Sequence, residues 1–131
     1  MSPKPYQLDP EKLAGHGLSP APPLPPEILL GGDPAQRNHI LHRGDFVVEV
    51  YESDAGKFRV DLPYDEFIYI LEGELILVSD AGEEVRFASG ESLVLPRGWQ
   101  GTWENPGPYR ELVVVERKAF DTLLASFEAR Q

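Results

Sequence analysis

The sequence predicts an all-β fold, either a barrel or a double-sheet roll, with an extended arm before it and a short helix after it. From residue 46 onward, apolar and polar residues alternate with a period of two in short runs rich in Val, Ile, Tyr and Phe, and turn-forming residues separate these runs. Near the end of the chain the apolar spacing changes to that of a helix. A length of 131 residues is enough for one domain with a single core.

Residues 1–30 are expected to form a proline-rich extended arm. Eight of the 13 prolines lie within residues 1–26. Proline lacks the backbone N–H and fixes φ, so we expect neither a helix nor a central strand in this segment. The arm is expected to lie on this or a neighbouring subunit, and recognition by a proline-binding module is the alternative.

Residues 31–117 are expected to form the β domain. Predicted strands cover residues 46–52, 57–62, 67–79 with an interruption near residue 73, 83–88, 92–96 and 110–117. Successive strand residues point to opposite faces, so Glu66, Ile68 and Ile70 share one face of their strand.

Residues 118–131 are expected to form a C-terminal helix. Phe120, Leu123, Leu124 and Phe127 follow the i, i+3, i+4, i+7 spacing of one helix face. This apolar face is expected to cap an open end of the β domain or a dimer seam.

Charge and composition limit the classes of partner. The chain has 12 basic and 22 acidic residues, for a net charge of −10, which disfavours binding to nucleic acids and to anionic membranes. No apolar run approaches the length of a membrane span, and residues 1–12 contain no signal-peptide core. The absence of cysteine excludes disulfides, thiolate nucleophiles and cysteine metal sites. We therefore expect a cytoplasmic protein whose partners are small molecules or other protein surfaces.

Two fixed spacings connect the predicted strands with a known superfamily. Six residues separate Glu66 from Gly73, and five separate Gly90 from the Pro96-x-Gly98 triplet, with Asn105 further on. This pattern resembles the two motifs of the cupin superfamily over about residues 46–116. The resemblance implies a double-stranded β-helix, which is a small jelly-roll barrel, and a homodimer. Dimerisation also follows from there being more apolar strand faces than one small barrel can bury.

A more particular pattern lies between Pro96 and Trp103, where two tryptophans alternate with glycines. Together with the preceding Gly-Lys-Phe-Arg-Val segment, it resembles the RmlC-like branch, DUF861, that includes the ureidoglycine aminohydrolase cupin domain. The full-length aminohydrolase resembles two fused cupin units, one of which carries metal ligands. Only one unit is present in this sequence.

The positions of the cupin metal ligands are mostly occupied by other residue types. The family uses three histidines and one glutamate, and here the first motif has Arg59 and Asp61 (or Val60 and Leu62) at its two histidine positions. Gly101 stands at the third, so Glu66 is the one remaining ligand. We therefore predict no metal cofactor. A divalent metal recruited by unusual ligands such as His39 or His42 is the alternative, and His16 in the arm is weaker still.

The candidate site is a cup around Glu66. If Glu66 points inward, as its family position implies, it lies beside Ile68 and Trp103, and desolvation would raise its pKa and suit it to acid/base catalysis. Alternatively, Glu66 pairs with Arg59, Arg97 or a backbone N–H and is structural. The absence of a side chain at Gly101 leaves space for an indole or a ligand. The predicted ligand-contacting residues are Trp99, Trp103, Arg59, Ile68 and Gly101, and core packing is the alternative for both tryptophans.

Two functional hypotheses follow. The first is a metal-free cupin that binds a small polar metabolite in the barrel mouth. The second is an enzyme acting on a ureido or sugar-like substrate, with Glu66 as the acid/base group or with an atypically bound metal.

Overall fold

The computed structural model of the protein describes residues 2–128, most of which lie in two antiparallel sheets. The strands are β1 (Ser19–Pro20), β2 (Leu29–Gly32), β3 (Gln36–Arg43), β4 (Phe46–Ser53), β5 (Gly56–Asp61), β6 (Glu66–Glu72), β7 (Glu74–Ser79), β8 (Glu84–Ala88), β9 (Ser92–Leu95), β10 (Gln100–Asn105) and β11 (Tyr109–Glu116). The helices are α1 (Pro10–Leu13), a single 3₁₀ turn (Pro26–Ile28) and α2 (Arg117–Glu128). The six-stranded sheet has the order β1-β3-β4-β11-β6-β9, and the five-stranded sheet has the order β2-β5-β10-β7-β8. The predicted all-β class with a C-terminal helix is confirmed.

Strands with clear alternation were predicted well, whereas four others were missed. β6 alternates as expected, because Glu66, Ile68 and Ile70 are buried while Phe67 and Tyr69 are exposed. The segment ahead of β4 was expected to precede the first strand, and this is wrong because residues 36–43 form β3, which pairs with β4. Strands β1, β2 and β10 were also not predicted.

One hydrophobic core lies between the two sheets, and in it Trp103 contacts an aromatic residue from each sheet. Its ring stacks on Phe58 with centroids 5.7 Å apart and meets Tyr109 edge-on at 5.9 Å. The indole Nε1–H donates to Asn105 Oδ1 at 2.8 Å, and Asn105 Nδ2 donates to the Glu74 carbonyl at 3.0 Å. Asn105 therefore satisfies the indole N–H and ties β10 to the start of β7.

The interruption between β6 and β7 depends on Gly73. Its φ is +89°, and a Cβ there would lie 2.4 Å from the carbonyl oxygen of Pro108. Only glycine fits this close approach of two backbones in a left-handed conformation.

The first part of the arm, which includes Leu13, lies on the outer face of the six-stranded sheet of its own chain. Arg110 Nε, on the outer face of β11, donates to the Leu13 carbonyl at 2.9 Å, and β1 extends the sheet edge by pairing with β3. The expectation that this segment has no helix is wrong, because α1 begins at Pro10. Asp9 caps it by accepting from Glu11 N at 2.9 Å, and a proline is tolerated in the first helical turn, where its missing N–H has no partner to lose.

Helix α2 closes one end of the space between the sheets with Phe120, Leu123 and Leu124. The side chain of Phe127 and residues 129–131 of the predicted helix lie outside the described residues. No helix within residues 2–128 is long and apolar enough to cross a membrane.

A strip of apolar side chains remains uncovered on the outer face of the six-stranded sheet. Phe67 pairs with Val94 across β6 and β9, and these side chains are 41% and 61% exposed. Tyr69 continues the strip at 38% exposure. The homodimer stays a prediction, and this apolar strip is the surface that would form its interface.

Candidate functional site

A cavity of about 410 Å³ lies between the two sheets. The inner face of the six-stranded sheet contributes most of its polar lining, and the five-stranded sheet contributes an apolar wall that includes Phe58, Val60 and Trp103. The arm closes one side with Ala21, Pro22 and Leu24, and α2 closes another. This volume lies in the range of pockets that hold small molecules.

Three glutamates from neighbouring strands line this cavity. In one row across the sheet, Glu49 of β4 lies opposite Val113 of β11, and Val113 in turn lies opposite Ile68 of β6. Glu111 precedes Val113 by two residues and Glu66 precedes Ile68 by two. Because β11 and β6 are antiparallel, these two carboxyl groups lie on opposite sides of the row. The three residues therefore share the inner face, surrounded by Val and Ile side chains.

All three glutamates are buried, and burial raises the pKa of each. Desolvation, followed by the charge of Glu49, raises the pKa of Glu66 to about 8. Desolvation raises the pKa of Glu49 to about 7, although a hydrogen bond from Asn38 Nδ2 at 3.4 Å acts in the opposite direction. The pKa of Glu111 lies well above its ordinary value because of desolvation and then the charge of Glu66. Glu49 and Glu66 therefore titrate near neutral pH, and the charges of the three carboxyl groups influence one another.

Glu111 has an unsatisfied oxygen at the cavity wall. Its side chain is 2% exposed, and its Oε1 atom has no hydrogen-bond partner among the residues that the structure describes. The hydroxyl of Tyr109, two residues earlier on the same face of β11, is equally buried. It lies close enough to the Glu111 carboxyl to lower its pKa, although no hydrogen bond of ordinary geometry forms between the two groups. Buried polar atoms are nearly always hydrogen-bonded in proteins, so this pair requires an explanation.

Two further tyrosines supply hydroxyl groups to the lining. Tyr51 accepts a hydrogen bond from Gln36 Nε2, and Tyr64 precedes β6 next to Glu66. Burial, followed by the charge of a neighbouring glutamate, raises the pKa of both tyrosines far above the ordinary value. They are therefore neutral groups that can donate or accept hydrogen bonds at any physiological pH.

Three of the predicted site residues line the cavity: Glu66, Trp103 and Arg59. Arg59 does not pair with Glu66, because its two terminal nitrogens each bind an oxygen of Asp80 at 2.6 Å. The backbone N–H of Arg97 donates to Asp65 at 2.7 Å, and Glu66 forms no ion pair within residues 2–128. Both arginine pairings considered for Glu66 are therefore absent from the described structure.

The other predicted site residues do not line the cavity. Ile68 is fully buried in the core, and Trp99 packs partly buried against that core. A Cβ on Gly101 would lie 2.2 Å from the Val78 carbonyl oxygen and 2.5 Å from Cη2 of Trp99. The space left by the missing side chain is thus taken up by the neighbouring strand and by an indole.

The residues at the cupin metal positions do not fit a metal ion. Gly101 has no donor atom, Arg59 is paired with Asp80, and Asp61 is exposed and accepts from Gln100 at 3.2 Å. No group of three or more His, Cys, Asp or Glu side chains within residues 2–128 is arranged to hold a metal.

The histidines cannot complete such a site, because they lie away from Glu66. A bulge between Ile40 and His42 puts His39 opposite Val50 and His42 opposite Val48, so both histidines share the outer face of the sheet. His42 contacts the rings of Tyr6 and Phe46 there. His16 pairs with Glu11 in the arm at 2.6 Å.

Sequence reasoning missed Glu49 and Glu111 as site residues. Glu49 lies between valines in FVVEVYE, whereas Glu111 lies between Arg110 and Leu112 at the start of RELVVVE. The valine runs in both strands hide the period of two, so the buried face could not be assigned from either strand alone. A carboxylate between β-branched residues was an available signal for Glu49, and none was available for Glu111.

The fold and this site can now be compared with known proteins. A family model described as the EutQ-like cupin domain matches residues 37–111. A protein of unknown function from the DUF861 family of Pseudomonas syringae is 20% identical, with a TM-score of 0.70, over 75% of this chain and 43% of that chain. The EutQ protein of Clostridium difficile is 24% identical, with a TM-score of 0.57, over 63% of this chain and 68% of that one.

A third similar structure is the polyketide cyclase RemF from Streptomyces resistomycificus. It is 27% identical, with a TM-score of 0.55, over 63% of this chain and 65% of that chain. No curated protein matches the sequence. The chain spans less than half of the Pseudomonas protein, so the likeness to that protein concerns the shared fold.

Proposed function

The chain belongs to the EutQ-like cupin domain family, and within that family we propose that it binds a small polar molecule in the cavity between its sheets, without a metal. The cavity has the volume of a small-molecule site, an apolar wall for a ligand body and inward polar groups that fix orientation. A metabolite sensor or accessory protein is the role that these properties favour.

One observation carries the proposal: Glu111, a residue of the cavity lining, has a buried Oε1 atom that receives no hydrogen bond of ordinary geometry from residues 2–128, although the Tyr109 hydroxyl lies close by. Leaving such an atom unpaired costs about 1–3 kcal/mol of folding free energy, more if it is charged. A ligand that donates a hydrogen bond to it would recover this cost. The protein therefore accepts an unfavourable arrangement that a bound molecule would relieve.

Metal independence rests on the donor set. Glycine, an ion-paired arginine and an exposed aspartate occupy the positions where the metal-binding cupins carry histidines. The proposal therefore uses no Lewis acid, and the charged groups of the chain itself determine the chemistry of the site.

The test is thermal denaturation of the purified protein against a metabolite panel, combined with mass spectrometry of whatever copurifies. We expect one class of ligand to raise Tm in the wild type and to lose that effect in Glu66→Gln. The matched control is Glu83→Gln, which changes an exposed glutamate of the hairpin loop far from the cavity. If no metabolite raises Tm and no molecule copurifies, ligand binding is contradicted. Stoichiometric Mn, Fe, Ni or Zn by elemental analysis would contradict metal independence.

A second candidate is acid/base catalysis by Glu66, which its raised pKa favours. A group whose pKa lies near the working pH transfers protons efficiently, and burial brings Glu66 to about 8. The similar RemF is a polyketide cyclase, and a ring-closing condensation requires proton transfers that an acid/base group can perform. Incubation of the copurifying molecule with the protein tests this candidate. Turnover that falls by about 10²–10⁴-fold in Glu66→Gln supports it, whereas recovery of unchanged ligand rejects it.

A further inference from the structure

We propose that the ligand of this cavity is an organic cation, specifically an ammonium group attached to a compact apolar or aromatic body. The inference rests on the proposed binding function and names the chemical class of its ligand. Three carboxyl groups without an ion-pair partner face one cavity, and this arrangement complements a positive charge.

The charged and titratable groups around the cavity are acidic or neutral on nearly every side. β4 contributes Glu49 and Tyr51, β6 and the residues before it contribute Glu66 and Tyr64, β11 contributes Glu111, and β5 contributes Arg59 and Asp61. The lining residues from the arm, β3, β10 and α2 carry no ionisable side chain. Among the described lining residues, Arg59 is thus the one positive charge.

Arg59 does not neutralise the three glutamates. Its guanidinium forms a two-bond ion pair with Asp80 in the turn after β7, with both N–O distances at 2.6 Å. Its side chain is 41% exposed, which places the charge toward solvent. Glu49, Glu66 and Glu111 form no ion pairs with any residue that the structure describes.

The unpartnered oxygen of Glu111 indicates where a donor would bind. Glu111 lines the cavity and its Oε1 atom is buried. Among residues 2–128 the neighbouring Tyr109 hydroxyl is the one donor that acts on this carboxyl, and it forms no hydrogen bond of ordinary geometry to it. An ammonium group carries three donor hydrogens and no acceptor. It could therefore bind a Glu111 oxygen together with a second carboxylate, whereas a carboxylate ligand would require each glutamate it meets to remain protonated.

The opposite wall fits the apolar body of such a ligand. Phe58 and Trp103 stack on each other there, and Val60 of β5 and Leu123 of α2 continue the apolar lining. Aromatic faces attract an adjacent cation and pack against an apolar body. The cavity therefore has a carboxyl side and an aromatic side, as an arylalkyl- or alkylammonium ion requires.

Binding of a cation should release protons. Glu49 and Glu66 are largely protonated in the free protein below about pH 7 and about pH 8 respectively, because burial raises the pKa of each. A positive charge in the cavity stabilises the ionised carboxylates and lowers both values. Affinity for the cation should therefore increase as the pH rises from about 6 to about 8.

The test uses three probes of nearly equal size and different charge: 2-phenylethylamine, 2-phenylethanol and phenylacetate. Binding to the full chain is measured by isothermal titration calorimetry at pH 8 in phosphate, since Tris is itself a primary amine. We expect the amine to bind about 10- to 100-fold more tightly than the alcohol, because hydrogen bonds to ionised groups are the stronger ones. Equal or tighter binding of the alcohol or of phenylacetate overturns the inference but leaves cavity binding in place.

Binding of none of the three also overturns this ligand class. The metabolite panel then decides separately whether the cavity binds anything. The two proposals can therefore fail independently of each other.

Two further measurements test whether the glutamates bind the ammonium group: amine binding by glutamate variants, and the release of protons on binding. Glu111→Gln and Glu66→Gln should each weaken amine binding by about 10-fold or more, whereas Glu83→Gln should leave it unchanged. Removing a buried, unpaired carboxyl group does not threaten folding, and unchanged or raised Tm verifies this. Titrations at pH 7 in buffers of different ionisation enthalpy should show net proton release by the wild type. No release, together with undiminished affinity in both variants, would contradict a role for these carboxyl groups.

Discussion

The two faces of the six-stranded sheet hold their carboxyl groups in opposite situations. On the outer face, Glu52 accepts from Arg37 Nε at 2.8 Å and from Arg110 at 3.2 Å, and Arg110 also binds Glu72 at 2.7 Å. On the inner face of the same strands, Glu49 and Glu111 have no cationic partner among the described residues. The outer pairs link β3, β4, β6 and β11, and Arg110 also binds the arm through the Leu13 carbonyl, whereas the inner carboxyl groups have no such partners in the described chain.

The largest loss of stability is expected on the five-stranded sheet, which faces the inner carboxyl groups across the cavity. Gly101→His restores the family residue at the third histidine position, but its Cβ would lie 2.2 Å from the Val78 carbonyl oxygen. We expect the free energy of unfolding to fall by about 3 kcal/mol or more from overpacking. Urea denaturation measures this, with Gly107→His as the control because a Cβ there meets no atom within 4 Å. A stable Gly101→His protein that binds one zinc ion would refute the argument.

The pH dependence of stability tests the inner face directly. A carboxyl group whose pKa is raised by folding binds more protons in the folded state, so its contribution is fully present below pH 4.5 and is lost as the pH rises to its folded value. With Glu49 at about 7 and Glu66 at about 8, we expect the wild type to lose on the order of 3 kcal/mol between pH 5 and pH 8. Urea denaturation across this range provides the measurement.

The matched variant for this profile is the double substitution Glu49→Gln, Glu66→Gln. It removes the two groups that titrate in this range and leaves Glu111, so its stability should change much less between pH 5 and pH 8. A wild-type profile that rises with pH would show that the inner carboxyl groups are paired in solution.

The outer face is tested by Arg110→Met. This change leaves Glu52 with one cationic partner and removes the hydrogen bond to the Leu13 carbonyl. The Arg110 side chain is only 15% exposed, so we expect a loss of about 2 kcal/mol, between the values for exposed and buried pairs. Limited proteolysis should also cut the arm faster.

The control for the outer face is Arg86→Met. Arg86 forms exposed ion pairs with Glu74 and Glu84, and such pairs contribute at most about 0.5–1 kcal/mol. An Arg110→Met protein as stable as this control would show that the arm is held by apolar contacts alone.

The smallest effect on stability is expected from a substitution in the exposed apolar strip on the outer face. Phe67→Lys changes a side chain that is 41% exposed, so the free energy of unfolding should change by less than about 0.5 kcal/mol. If the apolar strip is the dimer interface, the same change should convert dimer to monomer in sedimentation equilibrium. A monomeric wild type would contradict the predicted homodimer.

Local patterning predicted much of the fold but less of the site. β6 alternates cleanly, so the burial of Glu66 followed from its sequence. β3 was missed because the bulge between Ile40 and His42 breaks the period of two, and that bulge also moves both histidines to one face. Periodicity cannot anticipate an inserted residue in a ladder.

The site also depends on contacts that are distant in sequence. Arg59 was a reasonable ligand-contacting candidate, but Asp80, in the turn after β7, binds its guanidinium. The orientation of Glu111 is fixed by strand register with β4 and β6. No pattern within a single strand contains that information, so the set of three glutamates became visible only in the folded chain.

Because Pro22 and Leu24 of the arm and Leu123 of α2 are walls of the cavity, segments near both ends of the described chain are parts of the ligand chamber. A truncation that starts after residue 24 removes the wall formed by Pro22 and Leu24 together with the short edge strand β1, while β2 to β11 remain in the sequence. Such a shortened protein could fold and still give a negative result in every ligand screen, so screening requires a chain that keeps the arm.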